Sequence, residues 1–228
     1  MLISVKRRFI FVANSKAAST SIEEALYPFA EIERGGTPAR KHIGMQDILR
    51  EYDFLFRNPG LKAPSFFAFG VMRDPLDWIS SWFRYRRGNK VASPLPKDIS
   101  FAEFWAKGDW NRFAAKGRPR LQRDFFADDH GRPLVDMVIP YQDLGPAFAQ
   151  VTDALGLKVD LGHMNASKLA ADADVIPADL VAEVRSHYAA DYEFFSRLDD
   201  INAKGLQKLD DRKTRRAARL ARAAQSGA

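Results

Sequence analysis

The stretch Phe11-Val12-Ala13-Asn14-Ser15-Lys16-Ala17-Ala18-Ser19-Thr20-Ser21-Ile22-Glu23-Glu24-Ala25-Leu26 decides how this chain is read. Its apolar start, taken with Phe9 and Ile10, spans Phe9–Ala13 and reads as a buried strand. From about Thr20 the apolar residues recur at helical spacing behind a run of hydroxyls, the signature of a helix start. A helix N-terminus offers free backbone N–H groups and the positive end of the helix dipole, so it suits an anion. Lys16, Ser19, Thr20 and Ser21 add an ammonium and three hydroxyls at that point, with Ala18 inside the same turn. This is not a Walker A loop. That motif needs glycines and a Lys directly before the Ser/Thr that holds Mg²⁺, whereas the first glycine here is Gly35. There is a competing reading: Thr20 with Glu23, and Ser21 with Glu24, have the spacing of a capping box, in which case the hydroxyls only start a helix.

A second strand-to-helix junction has similar chemistry. The apolar run Phe66–Met72 leads into Arg73-Asp74-Pro75, with Asp74 a good N-cap and Pro75 a good first helical residue. Arg73 is expected at the strand tip, and Ser81, eight residues on, faces it from the helix. A guanidinium fork and a hydroxyl suit a phosphate monoester; the alternative is that Arg73 pairs with Asp77.

Further strand character falls at Leu134–Ile139. Helical patterns fall near Thr20–Phe29, Met45–Tyr52, Pro75–Arg87, Phe101–Lys107, Leu144–Leu155 and Ala178–Arg197. Apolar strands separated by helices indicate an α/β domain with a parallel sheet, and such sheets bind ligands at the carboxyl ends of their strands, where Lys16 and Arg73 both lie. At 228 residues the expectation is one domain over 1–202 and a basic tail, helical or disordered, over 203–228. Because eight basic residues interrupt its apolar stripe, the tail is expected to contribute little core and to be dispensable for the fold. It would serve as a peripheral contact with an anionic surface.

No stretch reaches membrane-span length. With no cysteine there is neither disulfide nor thiolate metal site, so a cytoplasmic setting is the default. His42, His130, His163 and His187 are scattered without ligand spacing, so no metal is expected. The net charge of +6 is unevenly spread. Residues 84–123 hold eleven basic against three acidic side chains, and residues 124–202 hold five against fifteen.

Taken together, SKAASTSI (15–22) followed by VMRDPLDWISSW (71–82) resembles the sulfotransferases that use 3′-phosphoadenosine 5′-phosphosulfate, above all the carbohydrate-sulfotransferase branch and its small bacterial members. LVDMVIPYQDL, ALGLKVDLGHMNAS and HYAADYEFF resemble later elements of that family, so the likeness covers residues 9 to about 198. Ser15 stands where the family usually has Pro, Ser19 where Gly is commoner and Gln142 where Glu is frequent.

The resemblance implies a three-layer, P-loop-like α/β fold with a central, mostly parallel sheet. It implies that Lys16, Ala18, Ser19, Thr20 and Ser21 hold the 5′-phosphosulfate, and that Arg73 and Ser81 hold the 3′-phosphate. It implies too that the donor leaves as 3′,5′-adenosine diphosphate and that transfer is in-line and metal-independent. Lys16 would answer charge on the leaving oxygen. His42, in a Lys-His pair similar to that of many relatives, would deprotonate the acceptor hydroxyl, with Glu23 or Glu24 as alternatives.

The acceptor is expected to be a hydroxyl of a glycan, glycolipid or small molecule. The basic 84–123 segment, with Phe101, Phe104, Trp105, Trp110 and Phe113, suggests an anionic glycan or glycolipid; alternatively these rings are core. Two other readings are a nucleotide-dependent kinase-like enzyme, disfavoured by the missing glycines, and a nucleic-acid-binding protein, for which no base-reading motif is present.

Overall fold

The computed structural model describes residues 1–88, 94–108, 119–159, 161 and 176–226. Five strands form one mixed sheet: β1 (Leu2–Ser4), β2 (Phe9–Val12), β3 (Ile32–Glu33), β4 (Phe67–Met72) and β5 (Met137–Pro140), in the order β3-β1-β2-β4-β5. β2 pairs parallel with β4 and β4 with β5, while β1 runs antiparallel to both β2 and β3. The expected parallel sheet is therefore present only in the β2-β4-β5 half. The two additional strands are two and three residues long, too short to register as apolar periodicity. β1 follows from a hairpin whose turn includes Arg8 at φ 57°.

The helices are α1 (Ser19–Leu26), α2 (Pro38–Lys41), α3 (Met45–Glu51), α4 (Asp53–Phe56), α5 (Pro75–Arg87), α6 (Phe101–Lys107), α7 (Leu144–Leu155), α8 (Ala178–His187), α9 (Ala189–Phe195) and α10 (Leu198–Ser226). The single helix expected over 178–197 is broken at Tyr188 (φ −100°, ψ 21°), which is fully buried.

Side chains alternate across the strands and so supply two cores. Ile10, Val12, Ala68 and Val138 pack with Met45, Ile48, Phe126 and Phe194 on one face. Phe9, Phe11, Phe67, Phe69 and Ile139 pack with Ile22 and Leu26 of α1 and Phe148 and Val151 of α7 on the other. A third cluster joins α5, α6 and α8 through Trp78, Phe83, Phe104, Trp105 and Val184, with Tyr188 at the break between α8 and α9. Helices thus flank both faces of the sheet.

α10 corrects the expectation of a dispensable tail, and the division at 202 falls inside this one helix. The Asn202 amide donates to Val138 O (2.9 Å) and accepts from Val138 N (2.8 Å), so it pairs with the open edge of β5 as a further strand would. Gly205 lies directly against the Asp136 carbonyl, where a Cβ would collide with it. Lys208 donates to Asp136 at 2.7 Å and to Phe66 O at 2.8 Å. Arg212 donates to Arg8 O and Ser65 O, and Leu209 is 1 % exposed. Two of the basic residues that looked like a solvated face, Lys208 and Arg212, instead satisfy carbonyls at the rim of the sheet.

Truncation after Asn202 should therefore destabilise the fold. Burying a Leu is worth about 1.5–3 kcal/mol and a hydrogen bond to a charged group about 1.5–3 kcal/mol. A loss of about 3 kcal/mol or more would lower the melting temperature by roughly 6–12 °C. An unchanged melting curve would show that α10 is an appendage.

Candidate active site

β2 ends at Val12, and the chain turns through Asn14–Ala18 into α1. Lys16 (φ 58°) and Ala18 (φ 55°) both adopt the left-handed region without being glycine. That conformation costs about 1–2 kcal/mol per residue, so neighbours must hold it. The Trp78 indole donates to Ser15 O at 2.8 Å, and Asn14 Nδ2 donates to Val71 O at 3.0 Å. Arg73 Nη1 donates to Lys16 O at 3.3 Å. The turn is fastened from the β4 tip and from α5.

α1 begins at Ser19, and its N-cap is Ala18, which makes no side-chain cap. The capping-box reading of the hydroxyls therefore does not hold: Ser19, Thr20 and Ser21 occupy the first turn itself. Ser19 is buried, Ser21 half-buried and Thr20 exposed. The departure from glycine at Ser19 costs no backbone strain, since the left-handed residue is Ala18.

Lys16 is half-buried, with its ammonium 3.1 Å from the centre of the Tyr85 ring and 5.5 Å from that of Trp82. Burial, with Arg73 nearby, pulls its pKa down to about 8. Arg73 emerges at the end of β4, where Asp74 caps α5 by accepting from Leu76 N and Asp77 N. Its guanidinium lies 4.1 Å from the centre of the Tyr141 ring, and its Nε is buried without a partner. Burial lowers its pKa as well. Arg73 does not pair with Asp77. Among the described residues neither Lys16 nor Arg73 enters an ion pair. Two desolvated cations thus meet without an ion-paired carboxylate, Asp77 acting on Arg73 only from a distance, an arrangement that suits an anion.

Ser81 is half-buried on α5. It lies three residues after Trp78 and four before Tyr85, on the stripe whose neighbours touch the Lys16 turn.

His42 lies between α2 and α3, where its Nδ1 is 2.7 Å from Ala13 O. A carbonyl can only accept, so Nδ1 carries the proton and the lone pair of the neutral ring is on Nε2. Burial lowers the pKa of this ring and favours that neutral form. Glu23 is held by Lys41 at 2.6 Å and by the chain's amino group at 2.7 Å. Glu24 is exposed on α1. His42 also lines a cavity of about 490 Å³ together with Gly44, Asp47, Leu121 and Asp128.

Phe101, Phe104 and Trp105 are at most 4 % exposed, so these three rings are core rather than a sugar-stacking surface. Trp110, Phe113 and His163 lie outside the described residues. Sequence reasoning missed Tyr85, Trp82 and Tyr141, the aromatic faces that carry the two cations. It also missed Gln122, which is fully buried behind the site. The aromatic spacing Trp78, Trp82, Tyr85 on α5 was the available signal for the first two. Comparison with family models, curated proteins and solved structures gives no match to the chain.

Sulfate keeps its charge between pH 6.5 and 9.5 and should bind here, read by fluorescence of the nearby tryptophans. Lys16 attracts an anion only while protonated, so affinity should fall as pH rises through about 8. Lys16→Arg, which stays charged, should lose that dependence. A wild-type affinity that is flat with pH would remove Lys16 from the anion site.

Proposed function

We propose that this chain is a sulfotransferase that moves the sulfuryl group of 3′-phosphoadenosine 5′-phosphosulfate to an acceptor hydroxyl, on a P-loop-like α/β domain. The observation that carries the reading is the convergence of Lys16 and Arg73, two half-buried cations without carboxylate partners, at the ends of adjacent parallel strands. Two neighbouring cations suit a ligand with two anionic groups. The 3′-phosphate distinguishes this donor from ATP-like nucleotides.

In this reading Ser19, Thr20 and Ser21, with the N-terminus of α1, hold the 5′-phosphosulfate. Arg73 and Ser81 hold the 3′-phosphate. Lys16 stabilises charge that grows on the leaving phosphate oxygen, an interaction stronger in the transition state than in the ground state. His42 accepts the acceptor's proton on Nε2; its depressed pKa keeps the base free at neutral pH. The sulfur–oxygen bond to the leaving phosphate breaks as the bond to the acceptor oxygen forms, and 3′,5′-adenosine diphosphate departs. No step calls for a metal. The acceptor is a glycan, glycolipid or small-molecule hydroxyl, and the His42-lined cavity is where it would enter.

A thermal-shift panel tests the reading against its competitors. 3′,5′-Adenosine diphosphate without metal should stabilise the protein, whereas ATP with Mg²⁺ or an oligonucleotide should do so weakly. Stabilisation only by the latter two would point to a kinase-like enzyme or a nucleic-acid binder. Arg73→Ala should weaken 3′,5′-adenosine diphosphate about tenfold to a hundredfold, since a hydrogen bond to a charged group is worth about 1.5–3 kcal/mol. Its affinity for 5′-AMP should hardly change. Equal loss for both nucleotides would make Arg73 a folding residue.

A further inference from the structure

Behind the two cations lies a buried chain of polar side chains that the donor reading leaves without a role. Gln122, Asn14 and Asp191 are each no more than 1 % exposed. Gln122 Oε1 accepts from Arg73 N (3.2 Å) and its Nε2 donates to Arg73 O (3.0 Å). One side-chain amide thus exchanges both hydrogen bonds with one backbone residue, as a neighbouring strand would. The same Oε1 accepts from Asn14 Nδ2 at 3.0 Å, and that Nδ2 also donates to Val71 O. Asn14 is two residues before Lys16. A single amide therefore ties the residue that opens the first anion turn to the backbone of the residue that forms the second.

Gln122 is itself held in place. Asp191 on α9 accepts from Gln122 N at 3.0 Å and from Arg123 N at 2.8 Å, one through each carboxylate oxygen. A buried carboxylate with both oxygens committed to neighbouring backbone N–H groups leaves that segment one position to occupy. Gln122 belongs to none of the strands, and no core packing requires an amide there. An apolar side chain of similar length would fill the space but leave Arg73 N, Arg73 O and Asn14 Nδ2 without the partner that the amide gives them.

We propose that Gln122 is a positioning residue that fixes the spacing between the Lys16 turn and Arg73, so that the site prefers one ligand carrying two anionic groups over ligands carrying either alone. The identity of that ligand as a 3′,5′-bisphosphorylated nucleotide rests on the sulfotransferase reading; the coupling between the two loops does not. Gln122 touches neither phosphate. Its effect is expressed only when both cradles are filled by one rigid molecule, for which an error in spacing must be paid as strain or a lost contact.

Two measurements on Gln122→Met separate these claims. In the first, wild-type protein and variant are titrated with 3′,5′-adenosine diphosphate, 5′-AMP and 3′-AMP. Losing the two amide bonds to Arg73 should weaken the bisphosphate about tenfold and each monophosphate less than about twofold. A residue of purely structural importance would weaken all three alike, and that result would overturn the proposal. In the second, amide hydrogen exchange is followed without ligand. Exchange should rise in both 14–18 and 72–74 while β1 and β5 keep their protection. A rise in one loop only, or in neither, would overturn the coupling.

Asn14→Ala serves as the second variant should Gln122→Met fail to fold. It cuts the link to Gln122 on the Lys16 side together with the Asn14–Val71 bond and leaves the Gln122–Arg73 pair intact, so the same selective loss is expected, and its absence would count equally against the proposal. A wild-type protein that shows no preference for the bisphosphate would sink the donor reading, and the exchange measurement would then decide the coupling by itself.

Discussion

The parallel pairing of β2 with β4 is the constraint on which the site depends. Its register sets Val12 opposite Gly70, so β4 runs on past the end of β2 to Met72 and the turn at Asn14–Ala18 leaves the sheet beside Arg73. The contact tolerates little change. A Cβ on Gly70 would run into the Phe126 ring and come within 2.9 Å of Val12 O, and the strand would have to move away from its neighbour. Beyond the last ladder bonds, side chains take over: Asn14 reaches Val71 O and Gln122 pairs with Arg73.

That alignment forces Lys16 and Arg73 into a shared region, and the surroundings show how the protein tolerates it. Aromatic faces, Tyr85 for Lys16 and Tyr141 for Arg73, offer the cations a partial partner without neutralising them. The Lys16 carbonyl takes one guanidinium N–H. Desolvation lowers both pKa values. Left-handed Lys16 and Ala18 add backbone strain that a better-folded loop would avoid. An arrangement that is costly in the free protein, and that an anion would relieve, is the physical basis for assigning function to this end of the sheet.

Much of the frame was legible because strong periodicity and caps coincide. The strands through Phe9–Val12 and Phe67–Met72, the Asp74-Pro75 start of α5 and the helix over Leu144–Leu155 appear within about a residue of where the pattern puts them. What escaped depends on long-range contacts. β1 and β3 are too short to show a period; β2 offers β1 an edge, and β1 in turn offers one to β3. Lys208 and Arg212 of α10 look solvated until Asp136, Arg8 O and Ser65 O are known to wait for them. Phe101, Phe104 and Trp105 could equally be core or a binding surface in one dimension, and α5 and α8 make them core. Gln122 lies 49 residues from Arg73 and 108 from Asn14; no local pattern announces such a link. The hydroxyls of 19–21 were ambiguous for a subtler reason. The capping box and the anion turn have the same letters, and only the start of α1 at Ser19 separates them.

The central claim is spatial: one molecule with two anionic groups bridges the α1 turn and the β4 tip. A crystal structure with 3′,5′-adenosine diphosphate tests it most directly. The account predicts the 5′-phosphate at the N-terminus of α1, within hydrogen-bond reach of Lys16 and the Ser19–Ser21 turn, and the 3′-phosphate on Arg73 and Ser81. A nucleotide bound elsewhere, or one whose 3′-phosphate points to solvent with Arg73 still stacked on Tyr141 and unengaged, would contradict it.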